Sequence, residues 1–220
     1  MRTRMVIWTT SDCTLHCEYC NQGYTIEQNK DYQMSMDEVN YIVDSCKKRG
    51  IHFGVIELGG GEPTLWVNLK EGIEKFRSIC DEVYLTTNGN NPELVISLGL
   101  KAWTVSVSQA TKKQLAKYEP YKDRIIFNNH SHHSLPEEPI GLPGICCVKA
   151  FRDGTPENCL SYICGKVYYC CLAFANTRKA VMSDNIVCDF EDDFLTKFSD
   201  KTFEEDICNY CVCNAKIFDL

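Results

Sequence analysis

Cys13, Cys17 and Cys20 stand in the order CxxxCxxC, with Tyr19 immediately before the last thiol. Three thiolates from one short loop make a metal donor set. A cluster of four irons is usually held by four thiolates, so a loop that supplies three leaves one iron open to a ligand from outside the chain. Zinc is the competing occupant. Structural zinc takes four protein ligands, and His16 inside the loop offers a fourth. A second group of chemistry-bearing residues is Leu58-Gly59-Gly60-Gly61-Glu62-Pro63. Its glycines let the backbone approach a ligand closely and take φ > 0, and Glu62 offers a carboxylate to a cation. Two weaker signals are Thr86-Thr87-Asn88-Gly89, where Asn-Gly is also a common turn by itself, and Ser106-Val107-Ser108.

The elements that must position these residues alternate. Short runs rich in Val, Ile, Tyr and Trp predict strands at Met5–Thr10, Gly54–Leu58, Val83–Thr87, Trp103–Ser108 and Arg124–Asn128, with a weaker sixth at Ile145–Phe151. Ser35 and Glu38 form a capping box ahead of a helical face at Val39, Ile42, Val43 and Cys46 that ends near Gly50. Leu69, Ile73, Phe76 and Cys80 repeat the period and predict a helix over Asn68–Cys80. Asn91-Pro92 opens a short helix to about Leu98, and Thr111–Tyr118 is a fourth. His130–Pro143, with three prolines and no period, reads as a loop. Such alternation implies parallel βαβ units in an open or partly closed α/β barrel. Ligands of parallel α/β folds gather at the C-terminal ends of strands. Each motif above begins where a predicted strand stops.

CxxxCxxC with Tyr19 before its third Cys, followed by Gly-Gly-Gly-Glu after the second strand, resembles the radical S-adenosylmethionine (SAM) superfamily. The resemblance covers about the first 110 residues, with four motifs in order. It implies a partial (β/α)6 TIM-like barrel of the radical SAM type. It implies that Cys13, Cys17 and Cys20 ligate a 4Fe-4S cluster whose open iron is chelated by SAM. One electron from the cluster would cleave SAM to a 5′-deoxyadenosyl radical that abstracts a substrate hydrogen. Gly60, Gly61 and Glu62 would then hold the methionine end of SAM, with Tyr19, Asn88, Ser106 and Ser108 toward the adenosine. The family's frequent SxD after the fourth strand is replaced here by SVS or SQA.

Composition narrows the field. The chain has 220 residues with a net charge of −7, and no dense Lys/Arg run that would displace counterions from phosphates. Nucleic acid is a disfavoured partner. No apolar run reaches membrane length and the N-terminus does not read as a signal peptide, so a cytoplasmic location is expected. Fifteen cysteines are far too many for ordinary packing, and reduced cytosolic thiols argue for ligation over disulfides. Five lie in residues 1–145 and ten in residues 146–220. That shift predicts a barrel domain over 1–145 and an auxiliary domain over 146–220. Seventy-five residues need a metal staple. Gly165-Lys-Val-Tyr-Tyr-Cys170 reads as a hairpin strand delivering a thiolate, and Cys208-Asn-Tyr-Cys211 as a knuckle. The tail resembles the SPASM and twitch extensions of some radical SAM enzymes, the one-cluster twitch form fitting its length better. The ligands expected for this auxiliary 4Fe-4S cluster are Cys147 or Cys146, Cys170, Cys208 and Cys211, with Cys159, Cys164, Cys171 and Cys213 as substitutes. Structural zinc is the alternative.

The expected function is therefore a small radical SAM enzyme that oxidises or modifies a small molecule, as carbinol-oxidising twitch dehydrogenases do, fed by an electron donor such as flavodoxin or ferredoxin. Peptide maturation is a second option. The first strand starts at about residue 5, leaving no room ahead of it for a peptide-recognition domain, so a peptide would have to arrive on a separate partner. A nucleoside- or tRNA-modifying enzyme is a further rival, as is a non-catalytic zinc or iron–sulfur protein that binds a partner. The last explains the cysteines but not the Gly-Gly-Gly-Glu turn. Cys46 and Cys80 read as core thiols, Trp66 and Trp103 as packing residues, and His130, His132 and His133 as solvent-exposed.

Overall fold

A computed structural model of the protein describes residues 2–16, 20, 26, 29–106, 112–128, 157–169 and 187–199. Six parallel strands form the sheet: β1 (Arg2–Thr10), β2 (Phe53–Gly60), β3 (Cys80–Thr87), β4 (Trp103–Ser106), β5 (Ile125–Asn128) and β6 (Glu157–Ile163). Two antiparallel strands, β7 (Lys166–Tyr168) and β8 (Val187–Asp189), extend it. The order is β5-β4-β3-β2-β1-β6-β7-β8, so the sheet stays open with β5 and β8 at its edges. The helices are α1 (Met36–Arg49), α2 (Leu69–Phe76), α3 (Pro92–Ser97), α4 (Lys112–Tyr118) and α5 (Phe194–Ser199).

The α1 signals act as the sequence predicts. Ser35 Oγ accepts from the Glu38 N–H at 3.1 Å, Gly50 closes the helix at φ 66°, and Val39, Ile42, Val43 and Cys46 are buried. Asp37 and Glu38 sit in the first turn and Lys47, Lys48 and Arg49 in the last, each where the helix dipole favours it. Asn91 caps α3 and Pro92 occupies its first turn. The second predicted helix is shorter than its periodicity suggests. After Phe76, Ser78 Oγ donates to Lys75 O at 2.8 Å and the Phe53 N–H takes Ile79 O at 2.9 Å. The chain thus leaves the helix for the ladder, and Cys80 becomes the first residue of β3, paired with Phe53. Its thiol is nonetheless buried, as expected of a core residue.

The two sheet faces differ. Met5, Ile7, Ile56, Leu58, Val83, Leu85, Leu160 and Tyr162 share one face and belong to the main core with α1 and α2. Each such aliphatic side chain contributes about 1.5–3 kcal/mol by leaving water. The opposite face carries a rung across five strands that is polar at every position but Val6: Tyr84, Glu57, Val6, Ser161 and Tyr168. There Glu57 is buried, ion-paired with Arg4 and hydrogen-bonded by Thr86 Oγ1.

β6 is the strand that sequence periodicity missed. It lies beyond the composition shift near Gly144, yet it joins β1 in parallel register, with Met5 opposite Leu160 and Ile7 opposite Tyr162. The hairpin read at Gly165 is present. Cys164 (φ 47°) and Gly165 (φ 83°) form a two-residue turn with both centres left-handed, the pattern that matches strand twist. The expected sixth strand at Ile145–Phe151 and the histidines at 130, 132 and 133 lie outside the described residues. Among the described residues, no helix is long and apolar enough to cross a membrane.

Candidate functional site

The thiolate loop leaves the end of β1 and is braced from below. Segment 29–34 returns alongside β1: Met34 N–H takes Thr9 O at 2.8 Å, Ser11 N–H takes Tyr32 O at 2.9 Å, and Thr10 bridges Gln33. Ser11 Oγ donates to Asn29 O, and Gln33 Nε2 donates to Asp12 Oδ2 at 2.6 Å. Cys13 and Cys20 are half-buried on this loop, whereas Cys17 and Tyr19 lie outside the described residues.

The glycine turn after β2 docks on the same loop. Gly61 N–H takes Thr10 O at 2.8 Å, and Glu62 N–H takes Asp12 O at 2.7 Å. A Cβ on Gly61 would stand 2.3 Å from Asp12 O. One on Gly60, at φ 126°, would stand 2.6 Å from Thr10 O and 2.8 Å from Trp8 Cδ1. The close approach these glycines permit is thus to the backbone of the thiolate loop itself, which any side chain would force away.

Glu62 is 1% exposed. Its Oε1 accepts from Thr64 N–H at 3.1 Å, Thr64 Oγ1 at 2.6 Å and Thr87 Oγ1 at 2.7 Å, and its Oε2 accepts from Asn88 N–H at 2.7 Å. All four donors are neutral. Among the described residues no Lys, Arg or His forms an ion pair with it. The carboxylate ties the ends of β2 and β3 together and places there a negative charge that no cation among the described residues pairs with. That charge and burial push the Tyr118 hydroxyl well above its ordinary range, burial being the larger cause.

The turn after β3 completes the cluster of motifs. Gly89 sits at φ 79°, its N–H on Thr87 Oγ1 at 3.2 Å. Asn88 Nδ2 donates to Thr14 Oγ1 at 3.2 Å, and Asn90 Nδ2 to the same oxygen at 3.3 Å. Gln114 on α4 donates to Asn90 Oδ1 at 2.8 Å. Thr14, Thr64, Asn90 and Gln114 are isolated polar residues that carry no spacing signal in the sequence, whereas Thr87 lies inside the Thr86-Thr87-Asn88-Gly89 motif. Ser106 ends β4 opposite Asn128, and Ser108 lies outside the described residues. The fold therefore brings Cys13, Gly60, Gly61, Glu62 and Asn88 to adjoining strand ends.

The tail ligand candidates Cys147, Cys170, Cys208 and Cys211 all lie outside the described residues. Of the tail cysteines among the described residues, Cys159 lies in β6 opposite Arg4, Cys164 is exposed at the hairpin turn and Cys188 is buried in β8. Burial pushes the Cys188 thiol up to about 11. Cys46 and Cys80 behave alike, both raised to about 11 by desolvation.

Comparison with known proteins agrees with this geometry. Residues 8–132, more than half of the chain, match the Radical SAM superfamily. The chain belongs to that superfamily, and so to a class of enzymes whose members carry a SAM-binding 4Fe-4S cluster. A protein named probable GTP 3',8-cyclase from Pyrococcus abyssi is 28% identical over 116 residues, which are 51% of this chain and 37% of that protein. A protein of the same name from Pyrococcus horikoshii is also 28% identical, over 36% of its length. This chain thus matches little more than a third of these relatives. Among solved structures, BtrN in an open conformation has a similar fold, with a TM-score of 0.58 and 16% identity over 96% of this chain and 92% of that one. BtrN in complex with AdoMet and 2-DOIA aligns with a TM-score of 0.56 and 16% identity, over 80% of this chain and 76% of that one.

Proposed function

We propose that this chain cleaves SAM reductively on a cluster held by Cys13, Cys17 and Cys20, and uses the result to oxidise or modify a small molecule. The observation that carries this reading is Glu62. A buried carboxylate that the described residues meet with neutral donors is costly unless a cation stands near it, and SAM brings an ammonium and a sulfonium. The donor set of the loop fits the cluster, and the strand-end position fits the ligand side of a parallel α/β fold. When bound, the cluster supplies the electron that breaks the bond between sulfur and the ribose carbon.

The chain's own residues supply the setting. Gly60 and Gly61 let the β2 turn sit against the thiolate loop, so that Glu62 stays fixed relative to Cys13. Gly60, Gly61 and Glu62 face the methionine end in this reading, and Tyr19, Asn88, Ser106 and Ser108 the adenosine. The polar rung beneath them suits a hydrogen-bonding substrate. Its Arg4 and Glu57 charges offset each other, and Ser161 Oγ and Trp8 Nε1 are buried with no hydrogen-bond partner among the described residues. An auxiliary 4Fe-4S cluster on Cys147, Cys170, Cys208 and Cys211 is part of the proposal, supported by the ten tail cysteines and by a β6–β7 hairpin whose second strand ends two residues before Cys170 in the sequence. It would accept an electron from the substrate radical and make the net change an oxidation. A small ferredoxin or flavodoxin is the proposed electron donor.

A second reading has one specific support: the relatives named GTP 3',8-cyclase suggest a nucleotide substrate. Anaerobic reconstitution with iron and sulfide, reduction with dithionite and addition of SAM test the common core of both readings. Formation of 5′-deoxyadenosine is the expected result. A chain that holds zinc, takes no iron and leaves SAM intact would overturn it.

A further inference from the structure

We propose that Asn90 is a positioning residue for the thiolate loop, acting through Thr14 and itself held in register by Gln114. The proposal rests on the reading that this loop carries a cluster. The backbone bonds that hold the loop to the glycine turn, from Gly61 and Glu62, end at Asp12. The loop is also held at Thr14, the residue that follows Cys13. Its hydroxyl oxygen accepts from Asn88 Nδ2 at 3.2 Å and from Asn90 Nδ2 at 3.3 Å. Both ends of the Asn90 amide are engaged, because Gln114 Nε2 donates to Asn90 Oδ1 at 2.8 Å and to Asn90 O at 3.3 Å. An amide with its oxygen and its nitrogen both committed has one orientation. Asn90 N–H in turn donates to Asn88 Oδ1 at 3.0 Å, which locks the two asparagines as a pair.

A run of side-chain hydrogen bonds therefore leads from α4, through the turn after β3, to the neighbour of a ligand cysteine. Thr14 is exposed, so its hydroxyl adds little to the core. What the clamp fixes is where the first half of the loop stands relative to Glu62, whose Oε2 accepts from the backbone of the same Asn88. Cys13 on one side and the buried carboxylate on the other are thereby set by one turn.

The test uses the full chain, reconstituted anaerobically, in five forms: wild type, Thr14→Val, Thr14→Ser, Asn90→Ala and the Thr14→Val/Asn90→Ala double variant. Three quantities are read: the rate at which a chelator strips iron, the change that SAM causes in the EPR spectrum of the reduced cluster, and KM and kcat for 5′-deoxyadenosine formation. Thr14→Val keeps the side-chain shape and removes the acceptor of two bonds. It should speed iron loss about tenfold, as expected for one or two net hydrogen bonds, and alter the SAM-dependent spectrum. Asn90→Ala leaves the bond from Asn88 in place, so it should speed iron loss less, by about threefold, and the double variant should be no worse than Thr14→Val alone, since Thr14→Val already removes the bond from Asn90. Thr14→Ser should return iron loss to within about twofold of wild type. The melting temperature of the iron-free chain should stay unchanged in all forms, which separates positioning from folding. A wild type that holds iron and cleaves SAM, beside a Thr14→Val variant with the same iron loss and spectrum, overturns the clamp alone. Independent, multiplying effects of the two substitutions do so as well. A wild type that holds no iron overturns the cluster reading and the clamp together.

Discussion

Cys46 and Cys80 lie in the main hydrophobic core, while Cys13 and Cys20 lie half-buried on the loop that follows β1. The residue type is the same and the surroundings are opposite. In the core, Cys46 packs on the apolar stripe of α1, and the Cys80 thiol donates to Phe76 O at 3.3 Å. Desolvation raises both thiols to about 11, so they stay protonated and inert at neutral pH. At the strand ends, thiols are half-buried beside backbone that glycines have drawn close. The contrast teaches that in a cysteine-rich chain position on the fold separates candidate ligands from packing thiols, where composition cannot.

Four predictions sharpen or break that contrast. The largest effect should come from Cys13→Ala, Cys17→Ala or Cys20→Ala, each expected to lower 5′-deoxyadenosine formation at least about a thousandfold, as loss of an essential group does. The melting curve of the iron-free chain should not move, as a thermal scan would show. Gly61→Ala should come next. Its new Cβ meets Asp12 O, so the loop must shift, costing about 1–3 kcal/mol in a denaturant titration and lowering iron content with it. Glu62→Gln keeps an acceptor and removes the buried charge. It should raise KM for SAM about ten- to a hundredfold, the range of a hydrogen bond to a charged group, with iron content unchanged.

The smallest effect belongs to the core. Cys46 and Cys80 titrate near 9 when unfolded and near 11 when folded. The folded state therefore holds more protons between those values, and stability should fall as pH rises from about 9 to about 11. Cys46→Ala should cost about 1 kcal/mol at neutral pH and make that alkaline slope shallower. Iron content should be untouched. A Cys46→Ala variant that lost iron would erase the distinction between the two regions.

How far the sequence carried this picture depended on the kind of signal. The capping box at Ser35 and the stripe on α1 are local and periodic, and they fold as read. β1 ends at Thr10, just ahead of the Cys13 motif, and β2 and β3 end inside the glycine and Thr-Asn-Gly motifs, at Gly60 and Thr87. The end of α2 was overread, since the period at Cys80 continues in sequence while Ile79 is captured by Phe53 in space. β6 escaped because Ser161 interrupts its apolar run. That serine sits on the polar face, and only register with Val6 shows why. The links from Thr14 to Asn88 and Asn90 join residues more than seventy positions apart, which no local pattern encodes.

The most direct test is an EPR titration of the dithionite-reduced, reconstituted chain with SAM. A 4Fe-4S signal that shifts on adding SAM, and that is absent from Cys13→Ala, Cys17→Ala and Cys20→Ala while persisting in Cys46→Ala and Cys80→Ala, is the predicted result. A signal indifferent to SAM, or one that survives loss of a loop thiol, would contradict the account.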